Sequence, residues 1–198
     1  MKKQGAILFD LDHTLIDTDK IRREWETVFA RFGVSKEDAH SMARKMAGGT
    51  TAFHPVRPLS LIADRLSRRE ARMLLGAMHQ THKEGKYDFE GAYELLAALG
   101  EKHKLVLVSF GRKWYQMEKF KQTAFKNLFD EIVITSTVQK YRALTSLKKK
   151  YGKVVFVDDA HAAIVIAKQV GIPAVWVRKG KKGKEYYRQL RPRIEKAF

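Results

Sequence analysis

Two pairs of carboxylates sit where this chain of 198 residues can use them chemically. Asp10 and Asp12 follow the short apolar run 4–9, and Asp158-Asp159 follow the apolar run 153–157. Four carboxylates brought into one crevice repel each other unless a cation sits among them. Oxygen donors without a His or Cys partner favour a hard ion, and Mg²⁺ with retained waters is the natural choice. Such an ion neutralises phosphate oxygens and orients a nucleophile. Within the first pair, one carboxylate can attack while the other handles a proton. The rival role, in which the acids only cap the following turns, explains either pair alone but not their joint placement at two strand ends.

The elements around these acids explain how they meet. Strands are expected at 4–9, 104–108, 131–135, 153–157 and 174–177, alternating with helices over about 90–100, 112–126, 140–150 and 160–170. This alternation implies an α/β, Rossmann-like parallel sheet covered on both faces, with right-handed crossovers. In such a sheet the C-terminal strand ends line one ligand crevice. Asp10, Asp12, Ser109, Asp158 and Asp159 all fall at such ends. Residues 19–86 read differently. Trp25, Val28, Phe29 and Phe32 recur at helical spacing, Gly33 can stop that helix, and Ser35 can cap the next, with Asp38 three residues on. Gly48-Gly49 and His54–Pro58 mark loops, and further helices are expected over 58–66 and 67–84. The domain reading is therefore a core of 1–18 and 87–198 with a small all-helical insert at 19–86.

Phe9-Asp10-Leu11-Asp12-His13-Thr14-Leu15 resembles the first motif, Asp-x-Asp-x-Thr, of the haloacid dehalogenase-like hydrolase superfamily. Ser109 resembles its second motif, Lys140 the third, and Val157-Asp158-Asp159 the fourth. Ala167-x-x-x-Gly171-Ile172-Pro173 and Val175-Trp176-Val177 are similar to the family's usual continuation. The helical insert matches the cap that many members place after the first motif. The resemblance implies a Mg²⁺-dependent phosphatase in which Asp10 forms an aspartyl-phosphate. Asp12 would protonate the leaving oxygen and then activate water, its backbone carbonyl binding Mg²⁺. Ser109, with the backbone of Phe110 and Gly111, would cradle the phosphate. Lys140 would supply positive charge to the phosphate and the nucleophile, and Asp158 and Asp159 would complete the metal site. The dehalogenase branch lacks an acid at the position of Asp12, so that residue favours phosphate esters. Lys140 departs from the pattern in lacking a following Pro and in standing close to Asp158. Lys148 to Lys150 are the alternatives, read as a solvated face. From the cap, Arg22, Arg23, His54 and Arg57 are the candidates to contact the leaving group.

Composition excludes several classes. Cysteine is absent, which removes disulfides, thiolate metal sites and cysteine nucleophiles. No apolar run approaches the roughly 18 residues of a membrane span. The expectation is a soluble, cytoplasmic protein acting on a small phosphorylated substrate. The net charge of +17 is uneven: residues 1–100 carry 16 basic against 14 acidic side chains, and residues 101–198 carry 23 against 8. That asymmetry keeps nucleic acid as a second-choice partner. It supports two alternatives, a nucleotide or polynucleotide-end phosphatase and a non-catalytic nucleic-acid-binding module; a sugar phosphomutase is a further rival. Four smaller expectations complete the reading. Trp25 belongs to a core, Trp114 and Tyr115 lie buried on their helix, His79 and His82 face solvent, and the tail with Tyr186, Tyr187, Arg188, Arg191 and Arg193 is a solvated helix.

Overall fold

The computed structural model describes residues 3, 5–40, 66–137, 140–178 and 183–198. Its elements run β1 (Ala6–Phe9), α1 (Thr18–Arg31), α2 (Arg68–Glu84), α3 (Ala92–Gly100), β2 (Lys104–Phe110), α4 (Lys113–Lys121), β3 (Glu131–Thr135), α5 (Tyr141–Tyr151), β4 (Val154–Asp158), α6 (His161–Gln169), β5 (Ala174–Trp176) and α7 (Lys184–Ala197). The chain divides into two compact units, Met1–Asp17 with Asp88–Phe198, and Thr18–Tyr87.

The first unit is built on a five-stranded parallel sheet of order β3-β2-β1-β4-β5. β1 is buried at every position because strands and helices enclose it on all sides, which is why it reads as an unbroken apolar run. Ala6, Leu8, Val106, Val108, Val154 and Phe156 point to one face and pack with Leu144 and Leu147 of α5 and Ala163 and Ala167 of α6. This is the period-2 alternation of a pleated strand meeting the 3.6-residue period of a helix. The strand order reverses at β1, between β2 and β4, and that reversal opens a crevice above their C-terminal ends.

Two elements differ from the expectation. α4 stops at Lys121 instead of continuing to 126. There the backbone tightens, with Gln122 N–H donating to Lys119 O and the Thr123 hydroxyl to Phe120 O. The turn delivers Phe125 into a buried cluster with Phe120 and Phe129. Apolar burial outweighs the helical propensity of the next few residues. The tail helix α7 is amphipathic, not merely solvated. Tyr187, Leu190 and Ile194 are buried, α7 packs against α3, β4 and β5, and the Tyr187 hydroxyl donates to Thr14 O at 2.5 Å. Tyr187 is thus a core residue that supports the loop after β1, and it offers no surface for stacking on a base.

In the second unit α1 packs on α2. Ser67 begins α2 with a full capping box: Glu70 N–H donates to Ser67 Oγ, and Ser67 N–H donates to Glu70. The Ser35 cap also forms, with Asp38 N–H donating to Ser35 Oγ at 3.0 Å. Trp25 is buried as expected. His82 is not a surface histidine: it is 3% exposed and stacks on Tyr87 at 5.7 Å. Its place at i+4 from Met78 and i+8 from Leu74 puts it on the apolar face of α2. Among the described residues no helix is long and apolar enough to cross a membrane.

Candidate active site

Register brings the two acidic strand ends level. Phe9 is the Cα partner of Val157, and Asp10 N–H donates to Val157 O at 2.9 Å, so Asp10 and Asp158 leave adjacent strands side by side. Asp10, Asp158 and Asp159 are all buried, and each offers a carboxylate oxygen within 4.8 Å of the others'. Asp158 is further fixed by Ala160 N–H, which donates to its Oδ1 at 2.7 Å at the start of α6. Trp176 Nε1 donates to the Asp159 carbonyl at 2.8 Å, tying the loop to β5.

Lys140 reaches this cluster from the start of α5. Its backbone is left-handed, with φ 49°, which turns the chain from the end of β3 into the helix. Its ammonium donates to Asp10 Oδ1 at 2.5 Å and to Asp158 Oδ2 at 2.7 Å, and only 4% of the residue is exposed. Lys148 and Lys150 instead bond Val170 O and Glu131. The αL turn explains how a lysine without a following Pro, only 18 residues before Asp158, still enters the site.

Among the described residues, Asp10 and Asp158 share the Lys140 ammonium. Burial pushes the Asp10 carboxyl up to about 8; the Lys140 charge opposes this, while Asp158 and Asp12 add to it. Lys140 is held above its usual range: burial acts against its charge, but the Asp10 and Asp158 carboxylates outweigh it. A set of three close carboxylates suits a divalent hard cation. Asp10, Asp158 and Asp159 are the side chains that fit one.

Asp12 stands apart from that cluster. Gln116 Nε2 donates to its Oδ2 at 2.7 Å, and the Lys119 ammonium pairs with its Oδ1. Sequence reasoning missed both partners. Their signal is the spacing of α4: Tyr115, Gln116, Lys119 and Phe120 occupy its buried side, and a lysine and a glutamine at apolar positions require polar partners inside. Trp114, on the other side, is 48% exposed, so only Tyr115 of that pair is buried.

Ser109 is fully buried, and its Oγ lies 2.8 Å from Gln116 Nε2. Phe110 closes β2, and the Gly111 N–H donates to Thr135 O at 3.0 Å. In this structure the Gly111 amide is engaged by β3. Arg22 and Arg23 are exposed on α1, where Arg22 pairs with Asp19 at 2.8 Å. His54 and Arg57 lie outside the described residues.

A family model described as haloacid dehalogenase-like hydrolase matches residues 7–177. No curated protein matches the chain. Among solved structures, the chain is similar to a protein assigned as a β-phosphoglucomutase from Thermotoga maritima, with 17% identity over 98% of this chain and 100% of that one, and a TM-score of 0.71. It is also similar to a magnesium-bound hydrolase of the same family from Bacillus subtilis, with 15% identity over 89% and 87% and a TM-score of 0.62. An L-2-haloacid dehalogenase from Xanthobacter autotrophicus aligns with 16% identity over 90% and 79% and a TM-score of 0.62. At these identities the likeness is one of fold.

Proposed function

The chain belongs to the haloacid dehalogenase-like hydrolase family, and from that membership we propose that it is a Mg²⁺-dependent phosphatase acting on a small organic phosphate monoester. The observation that carries this reading is Asp12, a carboxylate two residues beyond Asp10 and outside the Asp10–Asp158–Asp159 cluster. A halide departs without a proton, whereas an alkoxide leaving a phosphate ester needs one. A second, separately held carboxylate has a use in ester hydrolysis that dehalogenation does not provide.

In this mechanism an Asp10 carboxylate oxygen attacks phosphorus. The bond from phosphorus to the ester oxygen breaks with its electron pair on oxygen, and Asp12, protonated when the ester is bound, gives that proton to the oxygen and becomes the carboxylate. Asp12 then takes a proton from water, which attacks the phosphorus of the aspartyl-phosphate and frees Asp10. Lys140 holds Asp10 and Asp158 in register throughout, and its charge offsets the phosphoryl group's. Ser109 donates to a phosphoryl oxygen. When bound among Asp10, Asp158, Asp159 and the Asp12 carbonyl, Mg²⁺ supplies charge neutralisation for the phosphoryl oxygens. The unit Thr18–Tyr87 would act as a cap selecting the leaving group.

The test is phosphate release from p-nitrophenyl phosphate with and without Mg²⁺. Turnover that persists undiminished in excess chelator would sink the metal dependence. The basic second half of the chain supports a nucleotide as the substrate's leaving group. Faster turnover of nucleoside monophosphates than of sugar phosphates is the result that would favour it, and transfer to a second sugar hydroxyl instead of water would mark a mutase.

A further inference from the structure

Lys119 and Gln116 lie one helical turn apart on the buried side of α4, and both end on the carboxylate of Asp12. Neither is required by packing alone. Lys119 is 5% exposed and its ammonium also lies 4.9 Å from the Tyr115 ring centroid. A lysine so enclosed loses hydration, which only a fixed anion at its tip can offset. Gln116 Nε2 also lies 2.8 Å from Ser109 Oγ and 2.6 Å from Phe110 O, so a single amide joins Asp12 to the end of β2. The backbone yields space for it. Gly111 has φ +151°, and a Cβ there would stand 2.9 Å from Gln116 Cγ and 3.0 Å from its Cδ. Only glycine admits both this conformation and this approach.

Resting on the phosphatase reading above, we propose that Gln116 and Lys119 are positioning residues that lock the Asp12 carboxylate in the orientation from which it reaches the leaving oxygen. Two donors from one rigid helix hold the two carboxylate oxygens separately, Gln116 on Oδ2 and Lys119 on Oδ1. That removes rotation about the side chain before substrate arrives, so the oxygen that carries the transferred proton is already placed toward the ester. Neither residue touches the reacting atoms in this scheme. Their effect passes through Asp12, and it must scale with how much the leaving group needs a proton.

Leaving-group dependence therefore separates this role from a merely structural one. The isosteric variants Lys119→Met and Gln116→Met are assayed on aryl phosphates running from p-nitrophenyl to phenyl phosphate, with Lys121→Met, exposed on the same helix, as control. The expected result is a fall in kcat/KM of about 100-fold on phenyl phosphate and under about 10-fold on p-nitrophenyl phosphate, with the control unchanged. Equal losses on both esters, or no loss, would overturn the proposal while leaving the phosphatase reading intact. A wild-type chain inactive on every ester would instead overturn the phosphatase reading, and this one with it. Should one variant fail to fold, the other carries the test, because each removes a different donor.

Discussion

Asp10 and Asp12 are two residues apart, yet the structure gives them opposite surroundings. Asp10 sits with Asp158 and Asp159, and the Lys140 ammonium pairs with Asp10 and Asp158. Asp12 sits with one ammonium and one amide, those of Lys119 and Gln116. The first set gathers three carboxylates, the donor type a hard cation takes. The second pairs one carboxylate with an ammonium and an amide, an arrangement that holds its geometry.

Several experiments would break or sharpen that contrast. The largest effect should come from Asp10→Asn, which removes the proposed nucleophile and lowers turnover by at least about 10⁴-fold. Folding, followed by circular dichroism, should survive, because the amide is isosteric. Residual turnover near wild type would mean that the two carboxylates have been assigned in the wrong order. Lys140→Met should come next, leaving Asp10 and Asp158 buried without their counter-charge. Urea titration in chelator should show a loss of about 3 kcal/mol, and Mg²⁺ should recover part of it by taking over the neutralisation.

Asp159→Asn tests the acidic cluster directly. For the wild type, Mg²⁺ at about 100 times its Kd should stabilise the fold by about 2.7 kcal/mol, several degrees in Tm for a chain of this size. Most of that shift should vanish in the variant, and an unchanged shift would place the ion elsewhere. On the Asp12 side the contrast predicts the reverse, since Lys119→Met should leave the Mg²⁺-induced shift in place. Gly111→Ala should have the smallest effect, about 1–2 kcal/mol from its positive φ and its approach to Gln116. Thermal unfolding measures it, and a neutral substitution would show that Gln116 has room to move.

Much of the sheet can be read from the chain because buried parallel strands are short unbroken apolar runs. The runs containing Ala6–Phe9, Lys104–Phe110 and Val154–Asp158 could scarcely be anything else, and the polar residues that end them are the candidate site. Elements whose limits depend on a distant partner were harder. α4 ends early because Phe125 turns into an aromatic cluster, and His82 is buried because Tyr87 covers it. The tail differs for the same reason. Its many basic side chains predict a solvated helix; the helix is there, but Arg188 and Arg191 pair with Glu185 and Glu195 of their own helix while Tyr187, Leu190 and Ile194 face inward.

From the order of its residues alone, this chain declares an α/β core with acids at two strand ends and the family to which those motifs belong. The first follows from apolar periodicity and helix caps; the second rests on the resemblance of the motifs and on the family match. Which lysine answers which carboxylate is not local. Lys140 and Lys119 are two of 39 basic residues. Among the described basic residues they are set apart by burial at 4% and 5% beside Asp10 and Asp12. That burial arises only when α4 and α5 pack on the sheet, because desolvation turns an ordinary surface charge into one that must have a partner.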